Sequence, residues 1–229
     1  AKEKYLELLE NVVNDAPSLM TDLYEKGEDI GFMGECLYSG ILWGLENLAW
    51  FEPFFMRVVN ILIKMEQIRR ENLRYGNSPS DTLNRVFCTW LPNTLVDLDK
   101  RQLCISTLLR TNKSSDVLFN LLYSLLPVEH MTCQPTHRPK FIELRDQERE
   151  SRTDIDRFNS FIYAEIINML GDNKNRWDKI SRYITYMNPE RFDMFMNKLY
   201  SIDWQNAAPE FKNFVYQNLD HWADSAKRW

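Results

Sequence analysis

Glycine is scarce in this sequence, with 7 glycines in 229 residues. Sheet-rich folds and phosphate-binding loops use glycine in their tight turns, so its scarcity favours helices. The four cysteines are widely spaced and form neither a CxxC pair nor a dense disulfide framework, which is typical of reduced thiols in a cytoplasmic protein. The sequence also contains no Walker loop, GxSxG or HExxH motif, so it carries no recognised catalytic signature.

An excess of positive charge is also absent. The net charge of -5 gives no electrostatic reason to expect a nucleic-acid partner. The one local basic cluster, Arg69, Arg70 and Arg74, is interpreted as a solvated helix end rather than a phosphate-binding patch, because the C-terminus of a helix favours cations. The first residues are charged and amphipathic rather than a signal peptide, and the missing initiator Met suggests a segment of a longer chain.

The most apolar part of the sequence runs from Ile41 to Ile68. Charges at Arg57, Lys64 and Glu66 make a membrane-spanning helix too costly. From position 54 onward the apolar residues instead form two adjacent stripes at helical spacing. A helix that is apolar on two sides must be covered on two sides, so we predict an interior helix that forms a hairpin with the helix before it.

The helical period continues through the rest of the chain, and no segment shows sustained two-residue alternation. We therefore predict an all-α fold, a helical-hairpin repeat (solenoid-like) array of about ten helices. A helix is expected from Asp81, its predicted N-cap, to Leu91, and Pro92 is expected to end it. The predicted division is hairpins over 1–127, a proline-rich connecting loop over 128–142 and further hairpins over 143–229.

The sharpest cluster of reactive residues lies in the segment EHMTCQPTHRP. His130, Cys133 and His137 have H-x2-C-x3-H spacing, and thiolate and imidazole groups suit zinc. A fourth ligand and the familiar paired spacings are missing, so a loop held by its prolines is the favoured interpretation. Cys133 as a nucleophile, with His130 or His137 as its base, is a further alternative, although sequence neighbours in a loop seldom hold that geometry.

The tryptophans divide into two groups. The helical period places four of them on faces that we expect to be core: Trp43, Trp50, Trp90 and Trp177. Trp204 and Trp222 lie near the end of the chain, where exposed aromatic residues would anchor a partner. Together with Arg138 they are the candidate partner-binding residues, because tryptophan and arginine dominate the binding energy of protein interfaces.

Six phrases, read in order, carry a family resemblance: GFMGECLYSGILWGLENLAW, FFMRVVNILIKMEQI, YGNSPSDTLNRVFCTWLPNT, LFNLLYSLLP, PTHRPKF and NRWDKISRYI. They resemble the helical region of large multidomain bacterial antiviral proteins of the STAND NTPase (Avs-like) and defence-associated sirtuin type. The resemblance spans about residues 1–200 and is most specific over Trp43–Thr94 and Pro135–Pro139. It implies that an effector and often an NTPase module precede this region in a longer chain, and it transfers no catalytic residue.

The resemblance implies a non-enzymatic module, without a cofactor, that recognises a foreign (phage) protein or holds other domains of the parent chain inactive. We expect it in the cytoplasm, away from membranes, with any oligomer forming through the parent protein. A metal-dependent or nucleic-acid-binding accessory domain that uses the His130, Cys133 and His137 loop is the alternative. The acidic pI of about 5.4 argues against nucleic acid.

Overall fold

The structure is a computed structural model that describes residues 1–28, 37–69, 77–112, 115–127, 132–142 and 150–227. These residues form eleven α-helices and one short 3₁₀ helix, Ile184–Tyr186. The α-helices are α1 Lys2–Asp15, α2 Pro17–Glu28, α3 Leu37–Ala49, α4 Glu52–Ile68, α5 Pro79–Phe87, α6 Leu98–Asn112, α7 Asp116–Ser124, α8 Arg152–Met169, α9 Lys174–Ser181, α10 Pro189–Tyr200 and α11 Pro209–Ala226. No β-strand occurs in these ranges, so the predicted all-α class is confirmed. None of the described helices is both long and apolar enough to cross a membrane.

The chain divides into two compact units that interleave along the sequence. The first unit contains Ala1–Asn112 and Thr132–Ile155, and the second contains Lys113–Met131 and Asp156–Trp229. This division differs from the predicted one, which placed a connecting loop at 128–142. The part of that loop that the structure describes, residues 132–142, belongs to the first unit, and we call it the proline segment.

Helix α4 is the centre of the first unit. It packs against α1, α2, α3 and α5, and its buried residues come from both predicted apolar stripes: Phe55, Val58, Val59, Ile61, Leu62, Ile63 and Met65. The expected interior helix is thus confirmed. Its narrow polar edge faces α1, where Arg57 forms an ion pair with Glu10 at 2.7 Å and a second one with Glu3.

Helix α5 begins earlier and ends earlier than predicted. Ser78 rather than Asp81 is the N-cap, and Asp81 occupies the third helical position, where its side chain completes a capping box with Ser78. The helix ends at Phe87 and not at Leu91. Residues 88–97 therefore form a connection to α6, which we call the α5–α6 loop.

The tryptophan predictions are half confirmed. Trp50 and Trp177 are 1% and 0% exposed, as expected of core residues, but Trp43 and Trp90 are 46% and 45% exposed. Trp90 lies beyond the end of α5, so the helical period that assigned it to the core does not apply there. Trp43 does lie in a helix, but on an outer edge of α3.

The second unit has an aromatic core built by its last three α-helices. Trp177 of α9 lies 5.0 Å from Phe195 of α10 and 5.9 Å from Phe211 of α11, between ring centroids. Asn188 caps α10, and its side chain accepts a hydrogen bond from a backbone N–H of the first turn. Helix α9 is capped by Asn173, whose side chain accepts hydrogen bonds from the backbone N–H groups of Asn175 and Arg176.

Candidate functional site

The side chain of Asn93 joins the α5–α6 loop to the proline segment. Asn93 is 1% exposed, and its Nδ2 donates to the carbonyl oxygens of Arg85 at 2.9 Å and Gln134 at 3.2 Å. The backbone N–H of Thr136 donates to Asn93 Oδ1, and the Thr136 hydroxyl donates to the Asn93 carbonyl oxygen. Two of the sequence motifs that carry the resemblance are therefore held together by direct hydrogen bonds.

A buried carboxylate, Glu46 of α3, fixes the other side of the proline segment. It is 1% exposed and accepts hydrogen bonds from Arg85 Nε at 2.8 Å and from the Thr82 hydroxyl at 3.2 Å. Its second oxygen accepts from the backbone N–H of His137 at 2.9 Å and lies 2.6 Å from His137 Nδ1. Both carboxylate oxygens are thus occupied by protein groups, so Glu46 is a structural anchor rather than a free base.

Two tryptophans of the first unit hold His137 in place. Trp50 Nε1 donates to the His137 carbonyl oxygen at 3.0 Å, and the Trp43 ring stacks on the imidazole with centroids 4.8 Å apart. The Thr94 hydroxyl donates to the carbonyl oxygen of Ala49 at 2.7 Å, which attaches the α5–α6 loop to the end of α3. The backbone of both connecting segments is therefore fixed by buried hydrogen bonds on several sides.

Large apolar side chains remain exposed on these fixed segments. Trp90 and Leu95, on either side of Asn93, are 45% and 52% exposed. Phe141 of the proline segment is 72% exposed and stacks on Phe51, with ring centroids 6.1 Å apart. Rigid backbone that presents exposed aromatic side chains is the arrangement found at the energetic centres of protein interfaces.

A cleft of about 830 Å³ opens beside the α5–α6 loop within the first unit. The residues that line it include Trp90, Leu91, Pro92, Leu95, Asp97 and Glu150. Arg101 and Asp154 also line it, so the cleft combines three carboxylates and one guanidinium group with apolar side chains.

The guanidinium group of Arg101 is buried beside the cleft. Arg101 is 4% exposed, and it donates to the carbonyl oxygens of Val96 at 2.8 Å and Cys88 at 2.9 Å. Its Nη2 lies 3.6 Å from a carboxylate oxygen of Glu150. Burial lowers the pKa of Arg101, and the Glu150 carboxylate opposes that shift. The charge of Arg101 is therefore used inside the unit, where Glu150 is its partner. Asp97 carries the exposed carboxylate of the cleft, and it lies 3.4 Å from Lys100 Nζ.

The residues that the structure describes do not bring the candidate zinc ligands together. His130 lies outside the described ranges. His137 Nδ1 contacts Glu46, whereas Cys133 Sγ accepts a hydrogen bond from Asn93 Nδ2 at 3.6 Å. Within the described ranges no group of three or more His, Cys, Asp or Glu side chains could hold a metal ion. The alternative in which His137 acts as the base for a Cys133 nucleophile is not favoured either, because the His137 imidazole is hydrogen-bonded to Glu46.

The three predicted partner-binding residues have different environments. Trp222 is 0% exposed and packs on Trp177, with ring centroids 6.2 Å apart, because it lies on the inner face of α11. The prediction that Trp222 anchors a partner at the surface is therefore wrong, because the residue is buried. Trp204 is 37% exposed and stacks on Phe211 at 5.7 Å, and Arg138 is exposed.

Glu46 and Asn93 were not singled out from the sequence. Glu46 did leave a signal, because it is the one charged residue in the apolar run ILWGLENLAW. A carboxylate at such a position must find hydrogen-bond partners when the helix is buried. Asn93 left no such signal, since asparagine next to proline is ordinary in an exposed turn.

Comparison of the sequence with protein-family models found no matching family, and comparisons with curated proteins and with solved structures found no match either.

Proposed function

We propose that this protein is a non-enzymatic protein-recognition module, and that the cleft beside the α5–α6 loop is its docking site. The observation that carries the proposal is the exposure of Trp90 and Leu95 on backbone fixed by Asn93 and Thr94. A side chain on fixed backbone loses little conformational entropy when a partner binds, so its apolar contacts are retained as affinity.

The chemistry of the cleft favours a partner segment that combines a large apolar side chain with a lysine or arginine. The apolar side chain would pack against Trp90 and Leu95. The basic side chain would meet the exposed carboxylate of Asp97 in competition with Lys100, since Glu150 is already paired with Arg101. Carboxylates at the rim of an interface contribute mainly to specificity and to the rate of association.

The sequence resemblance supports a more specific role for the same surface. In a bacterial antiphage defence protein the bound segment would belong to a foreign protein or to another domain of the same parent chain. The proposal retains the stacked-hairpin array, the cytoplasmic setting and the absence of a cofactor that the sequence suggested.

A random peptide library displayed on phage tests this proposal with the full chain as bait. We expect selected peptides to share a large apolar residue near a basic residue. Trp90→Ala should weaken binding of a selected peptide about ten-fold or more, because a truncated anchor at an interface centre costs that much affinity. Asp97→Asn should remove the preference for the basic residue, while its amide still caps the backbone N–H of Lys100.

Leu103→Ala is the matched control, because Leu103 is a 60% exposed leucine of α6 that does not line the cleft. Its peptide affinity should equal that of the unmodified protein. Failure to select any consensus, or a consensus peptide whose affinity is unchanged by Trp90→Ala, would overturn the proposed docking site.

A further inference from the structure

Two phenylalanine rings at the surface of the first unit hold a positively charged group. Phe51, the N-cap residue of α4, and Phe141 of the proline segment stack with ring centroids 6.1 Å apart, and we call them the ring pair. The ammonium group of Lys2 lies over them, with Nζ 4.2 Å from the Phe51 centroid and 5.8 Å from the Phe141 centroid. A cation within about 6 Å of an aromatic centroid is attracted by the negative face of the ring.

Among the residues that the structure describes, the two rings are the only partners of the Lys2 ammonium group, which has neither an ion pair nor a hydrogen bond there. Glu3, which follows Lys2 in the sequence, pairs with Arg57 instead. Glu52, which follows the first ring, pairs with Lys100. The site therefore binds a positive charge without using the N–H donors that carry it.

The backbone beneath both rings is fixed. The carbonyl oxygen of Phe51 accepts a hydrogen bond from the backbone N–H of Phe54 at 3.0 Å, and the Phe54 ring packs edge-on against Phe51. Phe141 lies in a turn that is closed by a 3.0 Å hydrogen bond from the N–H of Ile142 to the carbonyl oxygen of Pro139. The two ring faces are thus positioned before any ligand binds, which lowers the entropy cost of binding.

We propose that the ring pair is a binding site for a trimethylated lysine of a partner protein, and that Lys2 is its internal competitor. A primary ammonium group is strongly hydrated and carries three N–H donors, for which the ring pair supplies no acceptor. A quaternary ammonium group has no such donors, so it loses less on leaving water and keeps the attraction to the ring faces. The inference is independent of the proposed docking cleft, because neither ring lines that cleft.

The openness of the site favours a side chain of a protein over a small free cation. Phe141 is 72% exposed, so the ring pair covers one side of a ligand and leaves the other side in water. A free cation such as choline gains only the contact with the rings, whereas a partner protein adds contacts made by the residues beside its lysine. The occupant in the structure is itself a lysine side chain, so a stem of that length reaches the rings.

Titration of the full chain with N-acetyl-trimethyllysine methylamide tests the proposal, with NMR of the backbone amides of Glu52 and Ile142 as the measurement. The neutral analogue, in which carbon replaces the quaternary nitrogen, has the same shape without the charge. We expect it to bind about three-fold or more weakly than the trimethyllysine compound, and unmethylated lysine to bind more weakly as well. Equal binding of the neutral analogue would show that the contact is merely apolar and would overturn the proposal, as would no binding at all.

Phe141→Leu keeps an apolar side chain at an exposed position but removes one aromatic face. It should weaken binding of the trimethyllysine compound about two- to five-fold. Phe161→Leu is the matched control, because Phe161 is a partly exposed phenylalanine of the second unit, and its affinity should equal that of the unmodified protein. The same weakening in both variants, or in neither, would contradict the assignment to the ring pair.

Lys2→Met removes the internal competitor and keeps an unbranched stem. It should tighten binding of the trimethyllysine compound roughly three- to six-fold, the factor by which an exposed cation–π contact occupies its site. Lys4→Met is the control, since Lys4 is an exposed lysine of the same helix, and it should leave the affinity unchanged. Equal affinities of the two lysine variants would show that Lys2 does not compete for the rings.

A peptide array with trimethyllysine at the centre and varied flanking residues distinguishes a protein ligand from a free cation. The best peptides should bind about ten-fold or more tightly than choline, because their flanking residues add contacts. Choline that binds as tightly as the best peptide would overturn the assignment of the site to a protein partner.

Discussion

At the scale of single residues, Glu46 is the feature on which the first unit depends most. Its carboxylate is 1% exposed and accepts hydrogen bonds from Thr82 and Arg85 of α5 and from the backbone of His137, so this side chain of α3 joins two other segments. Removing one partner of a buried ion pair leaves the other charge in a medium of low dielectric constant, and that cost exceeds the value of the pair itself.

Glu46→Ala should therefore lower the free energy of unfolding by about 3–5 kcal/mol, because the Arg85 guanidinium loses its charged partner and the His137 N–H loses its acceptor. Urea denaturation followed by tryptophan fluorescence measures this change. Glu7→Ala is the control, since Glu7 is an exposed residue of α1, and its effect should stay within about 0.5 kcal/mol. An effect of Glu46→Ala as small as that of the control would contradict the structural role.

At the scale of helices, the contact between α1 and α3 depends on the absence of a side chain at Gly44. A Cβ atom at this position would lie 2.8 Å from Tyr5 Oη and 3.3 Å from Tyr5 Cζ. The Tyr5 hydroxyl donates to the carbonyl oxygen of Ile41 at 3.4 Å, so displacing the ring would also lengthen that hydrogen bond. Gly40 lies one turn earlier in the same helix, and a Cβ atom there would meet nothing within 4 Å.

The two glycines provide a matched pair of substitutions. Gly40→Ala should raise the free energy of unfolding by about 0.5–1 kcal/mol, because alanine restricts the unfolded chain and favours the helix. Gly44→Ala gains the same propensity but overpacks the contact with Tyr5, so it should lower stability by about 1 kcal/mol overall. Thermal denaturation of both variants gives the comparison, and equal stabilisation by the two would show that α1 and α3 do not pack as described.

The sequence predicted the helices well where a long apolar stripe was present and poorly at their ends. The stripes of α4 specified an interior helix because its whole length obeys one period. The start of α5 was misplaced by three residues, because Ser78 and Asp81 are both good N-caps and the structure uses them together.

The candidate site could not be predicted in the same way. The contacts of Glu46 with His137 and of Asn93 with Thr136 join residues that lie far apart in the sequence, and no local pattern records such pairing. The Pro135–Pro139 motif indicated that the segment mattered, but only the packing of α3, α5 and the proline segment shows which side chains meet.

At the scale of the whole molecule, the burial of tyrosine hydroxyl groups and of a cysteine thiol determines how stability changes at alkaline pH. Burial raises the pKa values of Tyr5, Tyr123, Tyr163 and Tyr183, and it raises that of Cys104 to about 12. The folded protein therefore keeps these protons to a higher pH than the unfolded chain does. Their contribution to stability is complete below the unfolded pKa values and is lost as pH rises through and beyond them.

The thermal midpoint should accordingly fall steadily above about pH 9, where the unfolded thiols and phenols begin to ionise. Differential scanning calorimetry across a pH series measures this slope. Tyr163→Phe should make the slope shallower, since it removes one buried phenol, whose hydroxyl donates to the Arg191 carbonyl oxygen at 2.7 Å. Tyr216→Phe, at an 82% exposed position, should leave the slope unchanged. A thermal midpoint independent of pH up to strongly alkaline values would contradict the burial of these groups.

The interleaving of the two units has a consequence for how the polypeptide folds as it leaves the ribosome. Helix α7 belongs to the second unit, but it is synthesised before the proline segment that completes the first unit. Asp116 at the start of α7 pairs with Arg176 at 2.7 Å, and Arg176 is synthesised about 60 residues later. Leu118, Phe119 and Leu122 of α7 are buried in the folded unit, so we expect them to be exposed to solvent until the later helices of that unit are synthesised. Transiently exposed apolar surface of this kind promotes aggregation and is bound by chaperones. Slowing translation between codons 127 and 176 should thus prolong that exposure and reduce the yield of native protein.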